Sequence, residues 1–177
     1  SEAGKEAVLT SLALVTLKRE RKLTADLAAM GVTVEINDLT ALAHLPKGMG
    51  FHVGPLVNVY NEGTLAWLAS LGAKRVCLPP ELPLASVETL TRAGKDLGIA
   101  IEVWGHGRLP LAISGRCYHA RLHKRTKDNC QFACEDDPDG LEVRTLEDQP
   151  FMAMNGVQTL SDSYACADYQ IEALAAA

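Results

Sequence analysis

Short apolar runs alternate with amphipathic stretches along the first hundred or so residues of the chain. A short apolar run bounded by turn residues is typical of a buried strand, and an apolar period near 3.6 residues is typical of a helix. The pattern predicts strands over residues 8–15, 32–36, 50–54, 75–78 and 99–104. It predicts helices over residues 18–30, 39–45, 62–71 and 84–97. Regular alternation of strand and helix predicts a parallel sheet with helices packed outside it.

The ends of the predicted helices carry the expected signals. Asp38 and Asn61 lie at N-cap positions, and Gly31, Gly72 and Gly98 lie where helices end. No G-x-G-x-x-G sequence follows the first predicted strand, so a dinucleotide-binding function has no support. An open doubly wound sheet and a (β/α) barrel both fit this alternation.

The alternation stops after Trp104. Residues 105–149 are rich in polar residues and turn signals, including the DDPDG run at 136–140. A strand is then predicted over residues 151–155 and a helix over residues 161–174. A long insertion after a strand is how barrel proteins build sites at their C-terminal face. We therefore expect an α/β fold, a partial (β/α) TIM-like barrel, with a cysteine-bearing loop excursion at about 105–149.

Both ends of the sequence have features that bear on whether it forms a complete domain. It begins with Ser and enters a strand-like run within a few residues, and its last residues, IEALAAA, follow a helical pattern without a cap. These features indicate an internal piece of a longer protein. We expect residues 1–177 to form one incomplete (β/α) barrel domain.

Three cysteines provide the most informative chemical signal. Cys117, Cys130 and Cys134 have the spacing C-x12-C-x3-C within a polar, charged stretch. Several close thiols in a polar loop are typical of a metal, a cluster or a disulfide. Three are one ligand short of a tetrahedral zinc site or a 4Fe–4S cluster, and surface thiols without a ligand remain an alternative. Cys77, in a predicted strand, and Cys166, in a predicted helix, are expected to be structural, although either could serve as a substitute fourth ligand.

The composition of the chain limits the kinds of partner and the cellular locations that fit it. The net charge of −5 and the pI near 5.5 argue against nucleic acid as the main partner. No apolar run approaches the roughly 20 residues of a membrane helix, so we expect no membrane span. Five cysteines are too few for a secreted disulfide scaffold of 177 residues, which favours a cytoplasmic location.

Polar residues at predicted strand ends are candidates for lining a pocket, because the carboxyl ends of barrel strands carry the active sites. They are Glu35, Asn37, Asn58, Glu81, Glu102 and His106. Glu102 and His106 are the preferred catalytic candidates, because they directly precede the cysteine-bearing excursion. A basic group could attract an anionic ligand, although such runs are more often solvated; it consists of Arg116, Arg121, His123, Lys124, Arg125 and Lys127.

Several segments resemble the collagenase-like peptidase family U-32. The resemblance rests on His106-Gly107, the apolar stretch 109–113, the SGRC segment 114–117, and the pair Cys130 and Cys134. Other segments are similar to the ubiquinone-biosynthesis (UbiV) branch of the family. They are residues 11–15 (SLALV), 58–61 (NVYN), 81–82 (EL) and 154–159 (MNGVQT).

This resemblance implies a barrel-like iron–sulfur protein that acts with a UbiU-like paralogue as a heterodimer. Cys117, Cys130 and Cys134 would bind a 4Fe–4S cluster, with the fourth ligand upstream of Ser1. The protein and this paralogue would be subunits of an anaerobic hydroxylase, which hydroxylates the ring of a ubiquinone precursor without molecular oxygen.

Two other classes of function stay open. One is a U-32 type peptidase or a relative that hydroxylates an RNA base, although the chain has no H-E-x-x-H sequence and no convincing nucleophile–base pair. The other is a zinc-stapled structural or partner-binding subunit.

Overall fold

The computed structural model describes residues 4–176, with the side chain of residue 169 excepted, and these fall into two compact units. The first unit contains the described residues up to Trp104 and those from Asp168 onward. The second unit is Gly105–Ala167.

A five-stranded parallel sheet forms the centre of the first unit. Its strands are β1 (Val8–Thr10), β2 (Thr33–Ile36), β3 (Phe51–Val53), β4 (Ala73–Cys77) and β5 (Ala100–Glu102), and they follow one another in chain order. Every neighbouring pair is parallel. The prediction of an α/β fold with a parallel sheet is confirmed. Residues 4–176 do not close this sheet into a barrel, so a TIM-like barrel is not established.

Helices connect these strands, and local signals set their ends. They are α1 (Lys18–Ala28), α2 (Glu62–Ser70) and α3 (Leu84–Leu97), with a 3-10 helix at Leu39–Ala43. The Asn61 side chain accepts a hydrogen bond from the Thr64 N–H at 2.9 Å, and Asp38 caps the 3-10 helix in the same way. At the end of α3, Gly98 has a φ of 69°, which glycine adopts without a steric penalty.

Large apolar side chains fill the interior of the first unit. Phe51, Leu65, Leu68 and Leu90 are each no more than 1% exposed, and they belong to one cluster with the inner strand residues. Burying a side chain of this size stabilises a fold by about 1.5–3 kcal/mol. The apolar runs recognised in the sequence are therefore the residues that hold this unit together.

The second unit contains an antiparallel sheet that the sequence pattern did not reveal. Its strands are β6 (His106–Ile113), β7 (Leu141–Arg144), β8 (Pro150–Asn155) and β9 (Gln158–Cys166), in the order β6-β9-β8-β7. Thus the stretch predicted as a polar loop begins with a strand of 8 residues. The short helix α4 (Tyr118–Leu122) and two 3-10 turns lie between β6 and β7.

The helix predicted over residues 161–174 is wrong for its first half. That half is strand β9, and the helix that exists, α5, spans only Ile171–Ala176. The hairpin from β8 to β9 pairs Asn155 with Gln158, and Gly156 takes a φ of 59° at the first of its two loop residues. Glycine is preferred there because a two-residue hairpin requires a positive φ. Other strand ends differ from the prediction by one or two residues, apart from β1, which ends at Thr10 rather than residue 15.

Among the described residues, no helix combines the length and the apolar character needed to cross a bilayer.

Candidate metal centre

Cys117 lies at the N-terminus of α4 in a strained backbone conformation. Its φ is 45°, its side chain is buried, and its Sγ accepts the Ala120 N–H at 3.4 Å. The same Sγ lies 3.3 Å from the carbonyl oxygen of Gly156, in the β8–β9 turn. A non-glycine residue with positive φ is uncommon and is often associated with function. An N–H directed at a thiolate sulfur is a feature that stabilises metal-bound cysteine.

Cys130 and Cys134 are carried by the two 3-10 turns that follow α4. These turns are Lys127–Asn129 and Ala133–Asp136. The chain reverses between the two cysteines through Gln131 and Phe132, whose φ angles are 50° and 52°. The Arg125 guanidinium donates to the Cys130 carbonyl at 3.1 Å and so ties this loop to the end of α4.

Cys134 lies close enough to Cys117 and Cys130 for both to act on it electrostatically. Burial raises the pKa of the Cys134 thiol, a backbone hydrogen bond lowers it, and the charges of Cys117 and Cys130 raise it further. A side chain at position 156 would place its Cβ 3.9 Å from the Cys134 Sγ, so Gly156 borders both Cys117 and Cys134. Three neighbouring thiolates repel one another, and a bound cation removes that repulsion. Their donor chemistry fits zinc or an iron–sulfur cluster.

A second group of ligand-type side chains lies beside the cysteines. His119 and His123 stack with ring centroids 5.6 Å apart, and Asp137 Oδ2 lies 3.0 Å from the His119 Nε2. Our sequence analysis did not single out His119, and it assigned His123 only to a basic group. The four-residue spacing of the two histidines on a helix was the available signal.

The comparisons with known proteins identify the family. The whole chain, residues 1–177, matches the sequence profile of peptidase family U32. The chain belongs to peptidase family U32. It is 33% identical over 94 residues to tRNA hydroxylation protein P of Escherichia coli (strain K12). That match covers 51% of this chain and 20% of the relative, so the chain spans about a fifth of the relative's length. No solved structure matches it.

In this U32 chain the two predicted catalytic residues belong to different units. Glu102 ends β5 of the first unit and accepts a hydrogen bond from the Arg75 guanidinium at 3.1 Å. His106 begins β6 of the second unit and stacks on Tyr164 with ring centroids 5.7 Å apart. Their catalytic role stays a prediction.

Other predicted pocket residues of the U32 chain come together at the carboxyl edge of the parallel sheet. Burial, followed by the carboxylates of Glu102 and Glu35, raises the pKa of the Cys77 thiol to about 11. Cys77 and Glu102 end the adjacent strands β4 and β5, and Glu35 lies near the end of β2, so all three are at the carboxyl edge of the sheet. Cys77 is therefore a half-buried thiol that stays neutral at pH 7.

The remaining strand-end residues make structural hydrogen bonds. The Asn37 Oδ1 accepts the Leu56 N–H at 3.2 Å, so Asn37 shapes a turn. The Tyr60 hydroxyl bonds to the Glu81 carboxylate, and this bond raises the Tyr60 pKa. Cys166, predicted within a helix, instead lies at the exposed end of β9.

Proposed function

We propose that Cys117, Cys130 and Cys134 supply three of the four ligands of a 4Fe–4S cluster in an oxygen-independent hydroxylation protein. The observation that carries this proposal is that Cys117 and Cys134, which are 17 residues apart in sequence, both border Gly156, while the charge of Cys130 acts on Cys134. The fourth ligand would come from a segment of the full-length protein upstream of Ser1. When bound, the cluster would supply one-electron transfer.

Several residues of the chain would prepare this site. The Ala120 N–H would donate to the Cys117 thiolate, because its nitrogen lies 3.4 Å from the sulfur. Hydrogen bonds to cluster sulfurs are one of the features that set reduction potential. Arg125 holds the Cys130 loop through the carbonyl of that residue, and its positive charge would favour the reduced cluster.

We infer that the substrate is a ubiquinone precursor and the partner a UbiU-like paralogue. This finer assignment rests on the sequence segments that resemble the ubiquinone-biosynthesis branch. The net charge of −5 disfavours RNA, which is a polyanion, more than a small neutral substrate. In the same assignment, the sequential parallel sheet of the first unit would be part of a (β/α) barrel in the full-length protein.

Hydroxylation of an RNA base is the second candidate. Its support is the name of the relative, which is a tRNA hydroxylation protein. A peptidase function is supported only by the family name. The residues of the thiol site indicate no role in peptide hydrolysis.

The decisive experiment is a deletion of the full-length gene in a host without a redundant homologue. We expect normal ubiquinone in air and a loss of ubiquinone without oxygen, both measured by mass spectrometry. The intact gene and the Cys166→Ala variant should restore anaerobic ubiquinone, whereas Cys117→Ala should not. Cys166→Ala is the matched control because Cys166 lies in the same unit but is exposed.

Two results would redirect the proposal. Normal anaerobic ubiquinone in the deletion strain would contradict the assigned substrate. Loss of a hydroxylated tRNA nucleoside in that strain, measured in the same extracts, would favour the RNA candidate while leaving the cluster assignment in place.

A further inference from the structure

Helix α4 places two imidazoles side by side. His119 lies within the helix and His123 directly follows it, so the four-residue spacing puts both on one face. Their rings are nearly parallel, with an interplanar angle of 10°. Two histidines at this spacing on a helix are a common way to bind one metal ion.

A carboxylate completes the group. Asp137 Oδ2 lies 3.0 Å from the His119 Nε2 and 3.9 Å from the His123 Nε2, and the three ligand atoms all lie within 4.8 Å of one another. Metal bonds of about 2.0–2.2 Å in a tetrahedral site separate neighbouring ligand atoms by about 3.3 Å. Only a small movement of the exposed His123 would therefore bring all three atoms to bonding distance of one ion.

We propose that His119, His123 and Asp137 bind a divalent first-row transition metal ion, Zn²⁺ or Fe²⁺, at a site separate from the three thiols. Two imidazoles and one carboxylate form a donor set that both ions accept. The burial of the ligands falls from His119, which is fully buried, to Asp137 at 29% and His123 at 37% side-chain exposure. The ion would thus retain positions open to water or a further ligand on its solvent side.

A hydrogen-bonded His–Asp pair without metal is the competing explanation. It accounts for the 3.0 Å contact between His119 and Asp137. It does not account for the exposed His123, whose Nε2 is directed toward the same carboxylate oxygen and whose ring stacks on His119.

The surroundings of the His119 ring determine how tightly we expect this site to bind a metal ion. His119 Nδ1 is buried and has no hydrogen-bond partner in the part of the chain that the structure describes. Coordination through Nε2 leaves the ring proton on Nδ1, where metal-binding histidines normally have an acceptor. Loss of such a partner typically lowers metal affinity about 10–100-fold, so we expect binding weaker than that of a structural zinc site.

Calorimetric titration with Zn²⁺ alone, on anaerobic full-length protein loaded with its cluster, tests the proposal. We expect one Zn²⁺ to bind in addition to the cluster. Asp137→Asn and His123→Gln should each lower the affinity at least tenfold, whereas His44→Gln, which changes an exposed histidine of the first unit, should not. Asp137→Asn is informative because an amide oxygen still accepts the His119 N–H but is a much poorer metal ligand.

Measuring iron and sulfide in every sample distinguishes the proposed cluster from the proposed histidine site. Equal cluster content in all variants with Zn²⁺ affinity lost only in Asp137→Asn and His123→Gln would support the site. Absence of Zn²⁺ binding to the wild-type protein, or equal affinity in all four proteins, would overturn it. If the thiols hold no cluster, they would take up Zn²⁺ themselves, and the histidine site would be the second equivalent, lost in Asp137→Asn.

Discussion

The first unit buries large apolar side chains, whereas the second buries small or polar ones. Phe51 and Leu65 are among the fully buried residues of the first unit. In the second unit the buried side chains are Cys117, His119, Ala120, Ala133 and Ala153. An alanine removes far less apolar surface from water than a leucine or phenylalanine does, so the second unit gains less from the hydrophobic effect.

This difference indicates what each unit needs in order to stay folded. Domains of about 60 residues bury a smaller fraction of their surface than larger ones and often depend on a metal or disulfides. The second unit has this size and has the three neighbouring thiols. We therefore expect the stability of the second unit to depend on the proposed metal group, and the stability of the first unit to depend on its apolar core.

The largest expected effect is the response of the second unit to loss of the proposed cluster. Removing iron from the full-length protein with a chelator should greatly increase hydrogen exchange in β6–β9 and leave β2–β4 nearly unchanged, because metal binding and folding are coupled. Hydrogen-exchange mass spectrometry measures both regions in one experiment. Equal increases in both units, or no increase in β6–β9, would contradict the comparison.

The apolar core of the first unit should respond to a truncation. Leu65→Ala removes a fully buried side chain from α2 and should lower the free energy of unfolding by about 2–5 kcal/mol. Leu23→Ala, at a site that is 57% exposed on α1, is the control and should change it by less than about 0.5 kcal/mol. Urea denaturation of the full-length protein measures both. Similar losses for the two variants would mean that Leu65 is not a core residue.

The neutral Cys77 thiol gives a pH-dependent test of burial in the first unit. Its pKa of about 11, against 9.0 for an ordinary thiol, should make its alkylation at pH 8 roughly a hundredfold slower than that of an ordinary thiol. The unfolded thiol ionises at lower pH than the folded one, so this residue's contribution to stability is complete below about pH 9 and is lost as the pH rises toward 11. Iodoacetamide labelling followed by peptide mass analysis checks the rate, with the exposed Cys166 as an internal reference. Equal rates at the two cysteines would refute the assignment.

The smallest effect should come from a helix cap. Asn61→Ala removes the hydrogen bond from the Thr64 N–H and should lower the free energy of unfolding by about 1 kcal/mol. Asn61→Asp keeps an acceptor at the same place and should restore most of that loss. Thermal unfolding distinguishes them, and no difference between wild type and Asn61→Ala would show that α2 does not depend on this cap.

The sequence-based prediction succeeded where the signals are local. The Asn61 cap and the Gly98 stop each act within a few residues, and the apolar runs of the first unit are short and regular. For the cap and the helix end the physical cause, a hydrogen bond or a steric preference, lies within a single segment of the chain. The cysteine spacing grouped Cys117, Cys130 and Cys134 as one candidate site, and their role as ligands stays a prediction.

The prediction failed where partners are distant in sequence. Strand β6 exists because it pairs with β9, which brings His106 opposite Cys166, and neither segment alone distinguishes a strand from a loop or helix. The spacing of the histidines on α4 could have been noticed, but their approach to Asp137 depends on the path of the intervening turns. The sequence by itself determined the parallel α/β unit and grouped Cys117, Cys130 and Cys134 as one candidate set of ligands. Only the tertiary structure decided which residues surround those thiols, because long-range strand pairing and loop closure, not local propensity, bring them together.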